Sequence, residues 1–165
     1  MDVRGLVDET DETIRVVHIE DGSNVGQKRN FGCSLAAGDV IAHWDDDDYS
    51  APTRLDDQIR RMQSTGCQVT AYHRMRFTDG RDWWSYEGQP GYAIGTSLCY
   101  RKQFWKENNF PSIQLGEDRE FHLAARRAGQ LVTAEAGLLM YATIHNGNTS
   151  PRFVENSPWI KINNE

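Results

Sequence analysis

The stretch Gly38-Asp-Val-Ile-Ala-His-Trp-Asp-Asp-Asp-Asp-Tyr-Ser-Ala-Pro52 is the part of the sequence that decides how the chain folds. A short apolar run over residues 40–44 predicts a buried strand, and four consecutive aspartates follow it at residues 45–48. Adjacent carboxylates repel one another, but a hard divalent cation that takes oxygen ligands would offset the repulsion. In open α/β sheets the ligand crevice lies at the carboxyl ends of the strands, which is where this cluster falls. The stretch therefore favours a metal or ligand site, and a solvated acidic turn or helix N-terminus is the alternative.

The bulk properties predict one folded domain over residues 1–165, with residues 1–13 and 152–165 peripheral to it. Hydrophobic residues make up 38% of the chain and charged residues 25%, which is the ordinary mixture of a folded domain. The formal net charge of −6 argues against a surface that binds nucleic acid. No apolar run approaches the roughly 20 residues of a membrane span, and the N-terminus lacks the apolar core of a signal peptide.

The three cysteines, Cys33, Cys67 and Cys99, are widely spaced and form no C-x-x-C pair. This spacing favours reduced, partly buried thiols over a disulfide framework or a zinc site. We therefore expect a cytoplasmic protein.

Hydrophobic periodicity and turn residues predict an alternation of strands and helices. Strands are expected over residues 14–19, 40–44, 67–72 (extending towards Phe77), 96–100, 131–134 and 138–144, and helices over residues 25–37, 53–65, 102–108 and 117–128. Asn24 is the expected N-cap of the first helix and Gly66 the expected stop of the second. The order predicts the α/β class, with a mixed, mostly parallel sheet flanked by helices.

Aromatic side chains are concentrated in the glycine-rich segment over residues 81–95. Such a segment can form a lid or a platform for a sugar ring, because an aromatic face packs well on C–H groups. Ordinary packing beneath a long loop is the other interpretation, and the sequence does not separate the two.

Three motifs follow one another in a specific order: residues 24–30 (Asn-Val-Gly-Gln-Lys-Arg-Asn), residues 44–52 with Arg54 and Leu55, and residues 116–118 (Gly-Glu-Asp). They resemble the G-x-x-R-N helix, the DxD metal motif and the acidic catalytic motif of family 2 glycosyltransferases, which have the Rossmann-like GT-A fold. Residues 95–101 and 145–150 resemble a bacterial branch of that family. The resemblance covers residues 14–151, and the order of the motifs is more specific than any one of them.

The resemblance implies a divalent metal, Mn or Mg, held by the aspartates. Asp45 would lie nearer the ribose and Asp47 on the metal. The register within four aspartates is ambiguous, so Asp46 and Asp48 are alternatives for the donor and the metal. His145 would add a metal or diphosphate contact. A bound metal would act as a Lewis acid on the leaving diphosphate.

The other polar residues of the motifs also receive roles from the resemblance. Asp118 would be the general base that takes the proton of the acceptor hydroxyl, with Glu117 beside it. Arg29 would face the nucleotide, and Lys28 is expected to face solvent.

The implied activity is inverting transfer of a sugar from a nucleotide-sugar donor to a hydroxyl of a glycan or other acceptor. Family members begin with a strand, helix and strand that bind the nucleotide base, and this chain begins at what resembles the end of that unit. We therefore expect an N-terminally truncated domain, with Asp8 or Asp11 as a remnant of the base site. An open sheet edge would make a homodimer possible.

Two further hypotheses belong to other functional classes. A non-catalytic truncated remnant, or one half of a split enzyme, would bind a nucleotide sugar, a glycan or a partner subunit. A metal-dependent phosphoesterase or nuclease would use the aspartates to hydrolyse a phosphodiester without an acceptor sugar, although the net charge argues against nucleic acid.

Overall fold

A computed structural model describes residues 15–19, 21–149 and 154–163 of the chain. It has four helices within these ranges, α1 (Val25–Leu35), α2 (Arg54–Thr65), α3 (Lys102–Glu107) and α4 (Glu117–Arg127). The strands there are β1 (Val40–Ala42), β2 (Tyr49–Ser50), β3 (Val69–Thr78), β4 (Trp83–Glu87), β5 (Cys99–Arg101), β6 (Leu131–Glu135), β7 (Met140–Thr143) and β8 (Trp159–Ile162). A short 3₁₀ turn, Gly95–Ser97, precedes β5.

The long strand β3 is the centre of the sheet. It pairs with β4 and β5 in the antiparallel sense and with β6 and β7 in the parallel sense. The remaining pairs, β1 with β5, β2 with β7 and β4 with β8, are antiparallel. The predicted α/β class and mixed sheet are confirmed, but the expected parallel majority is wrong for the described strands. For the β3–β4 pair the physical reason is connection length, because β4 follows β3 after a four-residue turn, and a parallel neighbour needs a long crossover.

The packing core lies on both sides of β3. One cluster includes the rings of Tyr100, Phe110 and Phe121, with Phe110 and Phe121 stacked at 4.3 Å between ring centroids. A second cluster surrounds Tyr72 and Met75, at most 1% exposed. Burying side chains of this size stabilises the fold by roughly 1.5–3 kcal/mol each.

Local capping explains where α1 begins and how it is oriented. Asn24 accepts a hydrogen bond from the backbone of Gln27, and the Gln27 side chain accepts one from the backbone of Asn24, which completes a capping box. Gly26 lies so close to the carbonyl of Pro111 that a Cβ would stand 1.8 Å from its oxygen. The start of α1 is therefore seated on the segment that leads into α4.

Some sequence expectations differ from the structure. Residues 15–19 form no strand, because no described strand pairs with them, and Val16 and Val17 are each 41% exposed. The strand expected over residues 96–100 begins only at Cys99, after the 3₁₀ turn. Asp8 and Asp11, and the expected remnant of a base site, lie outside the described residues.

The aromatic segment over residues 81–95 contains the strand β4. Tyr86 packs edge-on against Trp159 of β8 at 5.0 Å between centroids, and Trp159 contacts Phe77 of β3 at 4.7 Å. These contacts favour the packing interpretation for Tyr86. Among the described helices, none combines the length and the apolar character needed to cross a membrane.

Candidate functional site

A cavity of about 650 Å³ opens beyond the end of β1, where the starts of α1 and α4 meet the loop after β7. Seven of the residues to which the sequence assigns a role in the site line it: Arg29, Asp45, Asp46, Asp47, Glu117, Asp118 and His145. The other lining residues are Val25, Lys28, Trp44, Asp48, Tyr92, Ile94, Gly95, Thr96, Gln114, Leu115, Ala142, Thr143, Gly147, Asn148 and Thr149. The fold thus brings residues from distant parts of the sequence into one concave, polar site.

The aspartate turn (residues 45–48) is anchored through Asp48. One Asp48 carboxylate oxygen accepts a hydrogen bond from the Thr96 hydroxyl at 2.6 Å, and the other accepts one from the Thr143 backbone N–H at 3.0 Å. Burial raises the pKa of the Asp48 carboxyl. Asp48 therefore fastens the turn to the 3₁₀ turn before β5 and to the end of β7.

Asp47 is held from the other side by His145. The Nδ1 atom of His145 accepts a hydrogen bond from the Gly147 backbone N–H at 3.0 Å. A neutral imidazole with an acceptor at Nδ1 carries its proton on Nε2. The Nε2 atom lies 2.6 Å from the Asp47 carboxylate, so in this arrangement His145 donates to Asp47 and fixes its orientation.

The aspartate turn has the donor set that a hard divalent cation requires. Asp45, Asp47 and Asp48 each place a carboxylate oxygen within 4.8 Å of the others. Within the described part of the chain, these aspartates form no salt bridge with Lys or Arg. Among the described residues, the side chain of His145 is the one basic group that contacts them at salt-bridge distance, through Asp47. Because Mg and Mn prefer oxygen ligands, these residues fit either ion. Asp46 is exposed and lies outside this group of three.

A buried arginine lies beneath the aspartate turn. Arg54 is 0% exposed and donates hydrogen bonds to the backbone oxygen of His43 at 3.0 Å and to the Ser50 hydroxyl at 2.8 Å. Its guanidinium also lies 5.0 Å from the centre of the Trp44 ring, and Trp44 is 53% exposed in the cavity. Arg54 therefore ties the end of β1 to the residues that follow the turn, and it holds the Trp44 ring in place.

The acidic pair at the start of α4 divides into an enclosed residue and an accessible one. Glu117 is 5% exposed, and its carboxylate accepts a hydrogen bond from Arg29 Nε at 2.9 Å. Asp118 is only half-buried and accepts a hydrogen bond from the Arg119 backbone N–H at 2.7 Å. A Cβ on Gly95 would stand 1.8 Å from Asp118 Oδ2, so the absence of a side chain at Gly95 makes room for this carboxylate.

The imidazole of His43 lies buried behind the acidic pair. Burial and the neighbouring charge of Arg29 lower the pKa of His43 to about 3, so the ring is neutral near pH 7. Its Nδ1 atom is 2.9 Å from both Arg29 Nη1 and the carbonyl oxygen of Gly95, and Nε2 is 3.2 Å from the Tyr100 hydroxyl. Because Nδ1 either accepts from Arg29 or donates to Gly95, the tautomer of the ring decides which of these two hydrogen bonds forms. His43 is therefore a fixed polar bridge inside the core.

Sequence reasoning missed several cavity residues. Lys28 is exposed, as expected, but it also lines the cavity. Thr96 and Thr143 have no individual sequence signal, because their contribution depends on a partner far away in the chain. Arg54 belongs to the second sequence motif, but the motif does not show that its side chain is buried beneath the aspartate turn. Gly95 has only the weak signal of a glycine inside a segment that reads as a strand.

Comparisons with known proteins identify the family and the fold. The model of the family described as glycosyl transferase family 2 matches residues 3–125. No curated protein matches the chain. Among solved structures, S. aureus TarS 1–349 in complex with UDP-GlcNAc matches with a TM-score of 0.64 at 22% identity, covering 82% of this chain and 43% of that one.

Two other TarS structures give a similar result. TarS 1–349 in complex with UDP matches with a TM-score of 0.57 at 22% identity, covering 74% of this chain and 40% of that one. The structure of S. aureus TarS matches with the same TM-score and identity, covering 74% of this chain and 25% of that one. The chain thus spans less than half of the length of these proteins. The likeness confirms the predicted GT-A fold.

Proposed function

This chain belongs to glycosyl transferase family 2, and we propose that it transfers a sugar from a nucleotide-sugar donor to a hydroxyl of a glycan or other acceptor, with inversion and with a bound Mg or Mn ion. The observation that carries the proposal is the shared cavity, in which a cluster of three carboxylates and the separate carboxylate of Asp118 face one space. A donor diphosphate and an acceptor hydroxyl need two such groups with different tasks. We place the reaction in the cytoplasm.

The aspartate turn is the donor end of the proposed site. Asp45, Asp47 and Asp48 would hold the ion, which when bound supplies Lewis-acid neutralisation of the diphosphate. Asp45 would lie towards the ribose, and His145 would keep Asp47 in its orientation. The positive charge of Lys28 on the cavity wall favours an anionic donor. The TarS structures in complex with UDP-GlcNAc and UDP make uridine diphosphate sugars the first donors to test.

Asp118 is the acceptor end of the proposed site. Its carboxylate would take the proton of the acceptor hydroxyl while that oxygen forms a bond to the anomeric carbon. The bond between the anomeric carbon and the diphosphate oxygen breaks in the same in-line step, which inverts the configuration. Glu117 is already engaged by Arg29, which leaves Asp118 as the carboxylate better placed for proton transfer.

A transfer assay with Asp118→Asn tests the proposal. The purified protein is incubated with UDP- and GDP-sugars, Mn and a panel of simple glycosides, and both the released diphosphate and the product mass are measured. We expect Asp118→Asn to lower transfer at least about 100-fold, because loss of a general base costs roughly 10²–10⁴-fold. Glu120→Gln is the matched control, since Glu120 lies exposed in the same first helical turn.

Other outcomes of the same assay would contradict the proposal. Wild-type transfer by Asp118→Asn would refute its role as base. Nucleotide binding without any transfer would favour the non-catalytic alternative. Hydrolysis of a phosphodiester such as bis(p-nitrophenyl) phosphate, with no sugar transferred, would favour the phosphoesterase hypothesis.

A further inference from the structure

Three segments of the chain meet at the side chain of Arg29. Arg29 belongs to α1, and its Nε atom donates to Glu117 Oε1 at 2.9 Å at the start of α4. Its Nη1 atom lies 2.9 Å from Nδ1 of His43, which follows β1. Glu117 lies 88 residues from Arg29 in the sequence, so this contact is formed by the fold. A single guanidinium therefore links α1, the end of β1 and α4.

The ion pair between Arg29 and Glu117 is shielded from water. The Glu117 side chain is 6% exposed and that of Arg29 is 22% exposed. Removing one partner of an enclosed charge pair is costly, because the other charge is left without compensation. The pair therefore restrains the start of α4 more strongly than a surface salt bridge would.

Glu117 and His43, the two residues next to the Arg29 guanidinium, are both connected to Asp118. Glu117 precedes Asp118 directly in the first turn of α4. His43 lies within hydrogen-bond distance of the Gly95 carbonyl, and the Gly95 backbone packs against the Asp118 carboxylate. The Asp118 side chain is thus fixed from its own helix on one side and from the 3₁₀ turn on the other.

We propose that the Arg29–Glu117 ion pair, supported by His43, positions the Asp118 carboxylate, and that neither partner acts chemically on the substrate. This inference rests on the proposed function, in which Asp118 is the general base. It replaces the direct nucleotide contact that the family resemblance implies for Arg29. The Nε atom of the guanidinium already donates to Glu117, and one terminal nitrogen lies 2.9 Å from the His43 ring.

Two substitutions that remove different contacts of the ion pair test this inference. Arg29→Met removes both contacts, whereas Glu117→Gln keeps a side-chain oxygen that can accept from Arg29 Nε. We expect Arg29→Met to lower kcat about 10- to 100-fold with the donor KM within about threefold, because small misplacement of a catalytic group costs up to roughly 100-fold. We expect the kcat of Glu117→Gln to stay within about tenfold of the wild-type kcat and far above the kcat of Asp118→Asn.

Amide hydrogen exchange supplies a readout that needs no turnover. Exchange at Glu120 and Phe121, in the first turns of α4, should be at least about tenfold faster in Arg29→Met, because the helix start loses its restraint. Arg61→Met is the matched control. Arg61 forms an ion pair of the same 2.9 Å length with Asp57, but on α2 and away from the cavity. It should leave both kcat and exchange in α4 unchanged.

Three results would overturn the inference. A large rise in donor KM with unchanged kcat in Arg29→Met would show that Arg29 binds the donor directly. Loss of transfer in Glu117→Gln equal to that in Asp118→Asn would show that Glu117 itself takes the proton. Unchanged amide exchange in α4 of Arg29→Met would refute the restraint. This readout does not depend on the proposed function, so it stays decisive even if Asp118→Asn keeps full activity.

Discussion

The aspartate turn and the Glu117–Asp118 pair are both clusters of neighbouring carboxylates, but their charge is balanced differently. In the aspartate turn the partners of Asp48 are the neutral groups Thr96 and Thr143. At the start of α4, the enclosed carboxylate of Glu117 is paired with the cation Arg29. The buried Arg54 lies near the first cluster but forms no salt bridge with it, so its single positive charge stands against four carboxylates there. In the second cluster, one of the two carboxylates is paired directly with a cation.

This difference matches two chemical tasks. A group of carboxylates with excess negative charge attracts a divalent cation and, with it, an anionic diphosphate. A pair in which one carboxylate is neutralised by an arginine presents a single carboxylate that is free to take a proton. In both clusters one acid is engaged inside the protein: Asp48 accepts from the backbone N–H of Thr143, and Glu117 accepts from the side chain of Arg29.

Gly95→Ala should disturb the second cluster most strongly. The new Cβ would stand 1.8 Å from Asp118 Oδ2, so the carboxylate or the 3₁₀ turn must move. We expect transfer to fall about 10- to 100-fold through kcat. Steady-state kinetics check this, with nucleotide binding at the aspartate turn as the internal comparison. Gly38→Ala is the control, because its Cβ would meet no atom closer than 3.6 Å. Full activity in Gly95→Ala would contradict the position assigned to Asp118.

Asp48→Ala should show that one acid of the first cluster stabilises the fold in addition to its proposed place in the metal site. The substitution leaves the backbone N–H of Thr143 and the hydroxyl of Thr96 without their acceptor. An unsatisfied buried group costs about 1–3 kcal/mol, so we expect the free energy of unfolding to fall by that amount. Urea denaturation measures the change. Asp46→Ala, at the exposed neighbour, should stay within about 0.5 kcal/mol of wild type, and equal losses in the two variants would refute the distinction.

Stability should also fall in mild acid, because His43 is kept neutral in the core. Its pKa is lowered from the ordinary 6.5 to about 3, so below pH 6.5 the unfolded chain binds a proton that the folded chain does not. The contribution of His43 is complete above pH 6.5 and declines as the pH falls towards 3, by at most about 1.4 kcal/mol per pH unit.

Other buried groups modify this acid dependence. Burial also lowers the pKa values of His73 and His122, which add to the decline. The raised pKa of Asp48 opposes it above pH 3.8, because the folded state retains a proton there. Thermal unfolding at pH 7.5, 6.5, 5.5 and 4.5 checks the balance. A free energy of unfolding that rises between pH 6.5 and 4.5 would contradict a neutral, buried His43.

Local signals predicted the elements that frame the site. The Asn24 cap and the Gly66 stop are confirmed, because each depends on residues close in the sequence. The buried strand predicted over residues 40–44 is present in a shorter form, since β1 ends at Ala42 and is only partly buried. The motif order also indicated which polar residues share a cavity. The strand expected over residues 14–19 was wrong for the described residues 15–19, since a β-branched run forms a strand only when a partner strand is available.

Which acid faces inward could not be predicted. The partner of Asp48 on β7 lies 95 residues away in the sequence, and the partner of Glu117 lies 88 residues away. Four aspartates in a row give no local reason for one of them to turn towards the core. The burial of Arg54 likewise depends on oxygens of His43, Ser50 and Thr96 that only the folded chain brings together.

The most direct test of the account is a calorimetric titration of UDP and of GDP into the purified protein, with and without Mn. We expect at least one nucleotide to bind in a metal-dependent manner, and binding to weaken at least about tenfold in Asp47→Ala, because the carboxylate oxygen that Asp47 contributes to the group of three is lost. Asp39→Ala is the control, since Asp39 is exposed just before β1 and does not line the cavity. Binding of the same strength with and without Mn, or unchanged binding in Asp47→Ala, would contradict the assignment of the aspartate turn as the metal-dependent donor site.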